Sequence, residues 1–200
     1  MRRGTEQITL RSKPGTLKAT AYHEAGHAMA AWHLEIPFGK GKHALSIVPV
    51  GSALGHFQSK QIVRFRNGDL PTTGANRLKM EREVVVGLAG TMAQRRHRPS
   101  SARSWHASSD YHSAVDLVSN FTGSVRETEA YLKLLQIRAE QTLDRPGTWE
   151  CVEAIATALL NRKTLSANEV VEIIQTTHAR ILEDHYKTRG LTLPGACQIL

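Results

Sequence analysis

Cysteine is nearly missing from this chain of 200 residues. Cys151 and Cys197 are too few and too far apart for a disulfide framework or a C-x-x-C metal site. Cys151 falls on an apolar helical stripe, where a buried thiol is ordinary. No run of about 18 apolar residues occurs, so no membrane-spanning helix is expected. Met1-Arg2-Arg3 leads into polar sequence without the apolar core of a signal peptide, and the expected setting is soluble and cytoplasmic. There is no internal repeat and no G-x-x-x-x-G-K-[ST] phosphate loop, which excludes a nucleotide-hydrolysing module of that type within these residues.

A formal net charge of +8 raises the question of nucleic acid. Arg95-Arg96-His97-Arg98 is the densest basic cluster, and Arg2, Arg3, Arg11 and Lys13 make the N-terminus basic. No helix-turn-helix, zinc finger or aromatic-interleaved single-strand motif accompanies them. Nucleic acid is therefore not the expected partner; a solvated basic face, or one that meets acidic proteins or an anionic membrane surface, fits the charge equally.

What the chain does have is a 40% hydrophobic composition, enough for one core-bearing domain. The organisation expected is a basic N-terminal segment over residues 1–15, a domain over 16–187 and a tail over 188–200. The fold class expected is mainly α (α+β), with a small β-sheet next to an alanine-rich helix. His43 to Val50 is rich in strand formers and Leu54 to Gln58 alternates after Gly51-Ser52, which predicts two or three short strands. Leu78, Val85, Leu88, Ala89 and Met92 give helical spacing from Asn76 to about His97, ending before Pro99. Residues 99–108 read as a Ser- and Arg-rich loop. Further helices are expected over 109–122, 124–143, 149–161 and 167–186. Ser124 with Glu127, and Ser166 with Glu169, fit capping boxes.

The first helix carries His23-Glu24-Ala25-Gly26-His27. Two histidines four apart on a helix point the same way, so both imidazoles can reach one Zn²⁺, and Glu24 can act on a water at that ion. The pattern predicts a zinc-dependent peptidase with Glu24 as general base. Such a site needs a third protein ligand and an open fourth position. His33 stands ten residues after His23, as in H-E-x-x-H-x-x-G-x-x-H. In this chain the turning glycine is replaced by Ala30 within an alanine run. If the helix continues, His33 lies about 240° around the axis from His27 and faces away.

Several segments in order resemble the peptidase domain of the FtsH-type zinc metalloproteases. They are Ala21-Tyr22-His23-Glu24-Ala25-Gly26-His27-Ala28, then Ser46-Ile47-Val48-Pro49-Val50-Gly51-Ser52-Ala53-Leu54-Gly55, then Val86-Gly87-Leu88-Ala89-Gly90-Thr91-Met92-Ala93. Ala107-Ser108-Ser109-Asp110 with Ala114-Val115-Asp116-Leu117-Val118 follows, and last Ala158-Leu159-Leu160, Thr164-Leu165-Ser166 and Glu169-Val170. The resemblance implies a helical metallopeptidase domain with Asp110 as third ligand at a helix start, where the helix dipole favours a carboxylate. His106 and His112 flank that position as competing ligands or proton donors, and Asp116 reads as a surface or supporting residue. It also implies that extended substrate adds to an edge strand, here Leu54, Gly55, His56, Phe57 and Gln58. His106, Tyr111 and His112 are the oxyanion or proton donors suggested by proximity in sequence.

The chain departs from that family where a Glu-Glu pair is replaced by Gln94-Arg95, removing two negative charges. With no phosphate loop in these residues, substrates are expected to be unfolded, short or delivered by a separate ATPase or other partner. A homo-oligomer stays open. Two functions follow: a metallopeptidase acting on unfolded or flexible polypeptides without ATP, or a non-catalytic zinc-stabilised binding or adaptor module with a basic surface. Glu24 favours the first, since a purely structural metal site needs no general base.

Overall fold

The computed structural model describes residues 14–39, 43–51, 53–63, 71–102 and 108–189. The basic N-terminal segment up to Lys13, Ser52, His106, Cys197 and the final residues of the tail lie outside them. Six helices and three two-residue strands make up the described chain: α1 (Pro14–His33), β1 (Leu45–Ser46), β2 (His56–Phe57), α2 (Gly74–His97), α3 (Ser109–Ser119), α4 (Val125–Leu143), α5 (Thr148–Arg162), β3 (Thr164–Leu165) and α6 (Ala167–Thr188). A short 3₁₀ turn over Pro99–Ala102 follows α2. The architecture is mainly α with a small antiparallel sheet, as the sequence pattern predicts. None of the described helices is long and apolar enough to cross a membrane.

Helix α1 is central. Its alanines let neighbouring backbones come close, and Ala21, Ala25, Ala28, Met29, Ala30 and Ala31 are fully buried. It packs chiefly against α2 and α5. At the crossing with α2, a Cβ on Gly26 would stand 2.5 Å from Ala93 Cβ and 2.7 Å from the Ala89 carbonyl oxygen. Gly26 thus sets the helix separation, and with it the reach of the side chains on either side. The helix runs without a break through Ala30 and ends at His33, and Glu35, with a φ of 53°, turns the chain out. The Leu34 and Ile36 amides close that turn onto the carbonyls of Ala30 and Ala31.

The sheet order is β2-β1-β3, antiparallel throughout, with Leu45 opposite both Phe57 and Leu165. The strand expected over 43–50 is regular only at Leu45–Ser46, because Ile47 donates to the Lys163 carbonyl and Val50 pairs locally with Ala53. Of Leu54 to Gln58, only His56–Phe57 is regular strand. β3 was not anticipated, being two residues squeezed between α5 and the cap of α6. Helix starts follow their caps. Ser166 and Glu169 form the reciprocal capping box. Ser124 accepts from the Glu127 amide, while the Glu127 carboxylate reaches Gly123 N–H. α3 stops at Ser119, three residues short of expectation, where Asn120 turns its side chain onto the Asp116 carbonyl.

Candidate metal centre

Helices α1, α2 and α3 meet at His23, His27 and Asp110. On α1 the two histidines are one turn apart, and their Nε2 atoms lie 2.9 Å from each other. Asp110 sits in the first turn of α3, whose start is capped by the Ser108 hydroxyl accepting from the Tyr111 amide. Its Oδ2 is 2.9 Å from His23 Nε2 and 3.6 Å from His27 Nε2. One ligand atom from each of these three residues lies within 4.8 Å of the others.

The outer ring nitrogens show why this set suits a cation. His27 Nδ1 donates to the Val86 carbonyl at 2.8 Å. His23 Nδ1 donates to Gln94 Oε1 at 3.1 Å, an orientation fixed because the Gln94 amide nitrogen faces the Ser101 carbonyl at 2.9 Å. With Nδ1 protonated on both neutral rings, both Nε2 lone pairs point at each other and at a carboxylate oxygen. That cluster is repulsive unless a cation or an added proton lies among its atoms. Two imidazoles held by carbonyl acceptors plus one carboxylate form the donor set of an open, tetrahedral-preferring ion.

Electrostatics agree with the geometry. Burial opposes charge on His27, yet its hydrogen bond to Asp110, the negative charges of Asp110 and Glu24 and the Val86 carbonyl raise its pKa to about 9. Burial alone would raise Asp110, but hydrogen bonds from His23 and His27, and their charge, hold it well below the usual carboxylate range. Glu24, 4% exposed, is pushed up by burial against the lowering influence of both histidines. The three-donor cluster and Glu24 line one cleft of about 1150 Å³.

The segment before and within β2 forms part of the cleft wall. Leu54, Gly55, His56 and Phe57 line it, and Gln58 does not. Gly55 is pressed on the general-base candidate: a Cβ there would lie 2.6 Å from Glu24 Oε1 and 2.8 Å from the Ser46 carbonyl oxygen. The Phe57 ring stacks on His27 with 5.9 Å between centroids. Gln58 N–H donates to the Ala44 carbonyl. Bonded and non-bonded pairs alternate along an antiparallel ladder, so His56 bonds Ser46 and Phe57 turns its own amide and carbonyl away from β1.

Other residues singled out in the sequence are placed elsewhere. His33 Nε2 hydrogen-bonds the buried Thr148 hydroxyl at 2.7 Å, away from the three donors. Neither Tyr111 nor His112 lines the cleft, and His112 is exposed; His106 is outside the described residues. Asp116 is exposed on α3 and borders the cleft. The densest basic cluster is partly used internally: Arg96 bonds Asp144 at 2.8 Å and covers the Trp149 ring, while His97 stacks on Tyr22 at 3.7 Å. Sequence reasoning missed Val86 and Gly90, since a backbone acceptor and a missing Cβ leave no chemical signature in a sequence. Gln94 was visible only as a departure from the family pattern.

No protein-family model matches the chain. Among curated proteins, the "ATP-dependent zinc metalloprotease FtsH" of Thermus thermophilus is 37% identical over 91 residues, covering 46% of this chain and 13% of that protein. FtsH 1 of Rhodopirellula baltica is 34% identical over 90 residues, or 45% of this chain and 12% of that protein. FtsH 4 of Sorangium cellulosum is 28% identical over 200 aligned residues, reaching 86% of this chain and 31% of that protein. The chain therefore spans under a third of the length of each of these relatives. Part of it is related in sequence to proteins named as FtsH zinc metalloproteases.

Proposed function

We propose that this chain is a zinc-dependent endopeptidase that cleaves unfolded or flexible polypeptides, with no nucleotide requirement of its own. The observation that carries the reading is a buried glutamate, Glu24, set beside three converging lone-pair donors in an open cleft. His23, His27 and Asp110 would hold Zn²⁺, which when bound supplies a Lewis acid that acidifies water and polarises a carbonyl. The partial relatives are named as zinc metalloproteases, and as ATP-dependent ones.

Glu24 acts as general base. Its raised pKa makes its carboxylate a better proton acceptor than a free glutamate. The proton leaves the attacking water for a Glu24 oxygen as the water oxygen bonds the scissile carbonyl carbon. Glu24 then returns it to the amide nitrogen as the C–N bond breaks. Gly55 lies against the carboxylate and leaves no room for a side chain there. Substrate adds as a strand to the outward-facing amide and carbonyl of Phe57, with Leu54, Gly55 and His56 along the same wall, so backbone is read more than side chains. Folded substrates would need to be unfolded first. The adaptor reading is not favoured, because a binding module has no use for a buried carboxylate at an open donor set.

The test is hydrolysis of an unfolded, fluorescently labelled protein by zinc-loaded wild type and Glu24→Gln without ATP. Cleavage by wild type and a loss of about 100-fold or more in the variant, with zinc still bound to both, is expected. Equal activity in both would remove Glu24 from its role. No cleavage by either would move the chain to the adaptor class.

A further inference from the structure

Helix α2 presents Val86, Gly90 and Gln94 at successive four-residue intervals along the two histidines of α1. Val86 holds His27 through a backbone carbonyl, and a Cβ on Gly90 would overlap the His27 ring. Gln94 is the side chain of the series, and it has two sides. Its oxygen accepts from His23 Nδ1 at 3.1 Å. Its nitrogen donates to the Ser101 carbonyl at 2.9 Å and meets the Ser101 hydroxyl at 3.3 Å. That hydroxyl in turn donates to the Arg98 carbonyl at 2.7 Å, closing the turn on itself. Ser100 and Ser101 are part of the cleft wall.

We propose that Gln94 is a positioning residue that couples a metal ligand to the substrate cleft: its carbonyl fixes the His23 tautomer while its NH₂ fastens the Pro99–Ala102 turn against the site. This rests on the metal reading above. Only an amide can do both. A carboxylate would accept from His23 Nδ1 equally well but would set an oxygen against the Ser101 carbonyl, two acceptors with no proton between them. An apolar side chain would do neither. A neutral acceptor also leaves Asp110 and Glu24 as the acidic groups facing the two imidazoles from α3 and α1, where a carboxylate on α2 would add a third. Partners of this kind set both the orientation and the basicity of a histidine ligand.

The experiment compares wild type, Gln94→Ala and Gln94→Glu by zinc affinity in competition with a chelator, by imidazole ¹⁵N shifts of His23, and by amide exchange over residues 100–102. The last two are read on metal-free protein, so they report on Gln94 even if zinc does not bind. Gln94→Ala is expected to weaken zinc about 10- to 100-fold, to lose the single Nδ1–H form of His23 and to speed exchange in the turn. Gln94→Glu is expected to keep the Nδ1–H form and at least wild-type zinc affinity while still speeding exchange in the turn. Separation of the two effects in Gln94→Glu is what a merely structural residue would not produce. Zinc affinity within about twofold of wild type in Gln94→Ala, with unchanged His23 signals, would overturn the proposal. So would unaltered turn protection in Gln94→Glu. A wild type that binds no zinc would instead overturn the metal reading.

Discussion

Gly90 lies beneath the His27 ring so closely that a Cβ there would overlap the imidazole. The obstacle to Gly90→Ala is thus the candidate ligand itself, whereas at Gly26 the obstacles are Ala93 Cβ and the Ala89 backbone. The two substitutions should part ways. Gly26→Ala forces α1 and α2 apart and should cost about 1–3 kcal/mol of stability. Gly90→Ala should displace His27 and lower zinc affinity by about tenfold or more, the scale on which changes around a ligand act. Chemical denaturation and chelator competition on both variants measure the two effects. Zinc affinity unchanged in Gly90→Ala would mean that His27 is not a ligand.

The proton that stands in for a cation at His27 predicts a pH dependence. Its folded pKa of about 9 lies above its ordinary 6.5. The stability it contributes is complete below about pH 6.5 and is lost as the pH rises through about 9. Metal-free protein should therefore melt at lower temperature as the pH climbs across that window. Zinc must displace the same proton, so its affinity should increase over the same range and the zinc-loaded protein should not share the decline. Melting curves with and without zinc at pH 6 to 9 decide this (a window set by the two values above). A metal-free melting temperature that rose with pH would contradict the assignment.

How much of this could be read from the sequence depends on how local each signal is. His23 and His27 are four residues apart on one helix with Glu24 next to the first, so the shared face of the two imidazoles follows from helical geometry alone. Asp110 lies 87 residues from His23, and no periodicity connects them; only the family resemblance pointed there. Helix starts were legible at Ser124 and Ser166 because a hydroxyl and a carboxylate three residues apart satisfy orphan amides locally. The strands were legible only in part: β1 and β2 fall inside the two segments expected to be extended, but their bounds and β3 did not follow from the pattern. Leu45–Ser46 is held between Phe57 and Leu165 by pairing across the chain, and β3 is too short to carry a pattern. Gln94, with Arg95 beside it, looked like the loss of two negative charges. Its use of both amide atoms depends on where Ser101 folds.

His33 separates spacing from geometry. Ten residues after His23 it matches a ligand spacing, yet it bonds Thr148, whose side chain is fully buried. Burial first, then the charges of Arg145 and His178, lower its pKa, which keeps the ring neutral. His33→Ala should leave zinc affinity unchanged and cost about 1–3 kcal/mol of stability through the orphaned hydroxyl. Asp110→Ala should do the opposite and abolish tight zinc binding. Zinc release by His33→Ala, or a fully active Asp110→Ala, would reverse the ligand assignment.

The orientation of Phe57 gives a prediction about substrates. Its amide and carbonyl point away from β1, so a peptide laid along that edge would exchange two backbone hydrogen bonds with one residue of the substrate. Methylating that residue's amide nitrogen removes a donor and adds bulk at the strand edge, without changing any side chain. In a series of otherwise identical peptides methylated at successive backbone nitrogens, resistance to cleavage should alternate with a period of two about the scissile bond, because alternate residues face the protein. Side-chain replacements at the same positions should have smaller effects. Cleavage lost only for the scissile nitrogen, with no alternation, would mean that substrate does not extend β2, and the Leu54 to Phe57 wall would then be a barrier around Glu24 and not a binding edge.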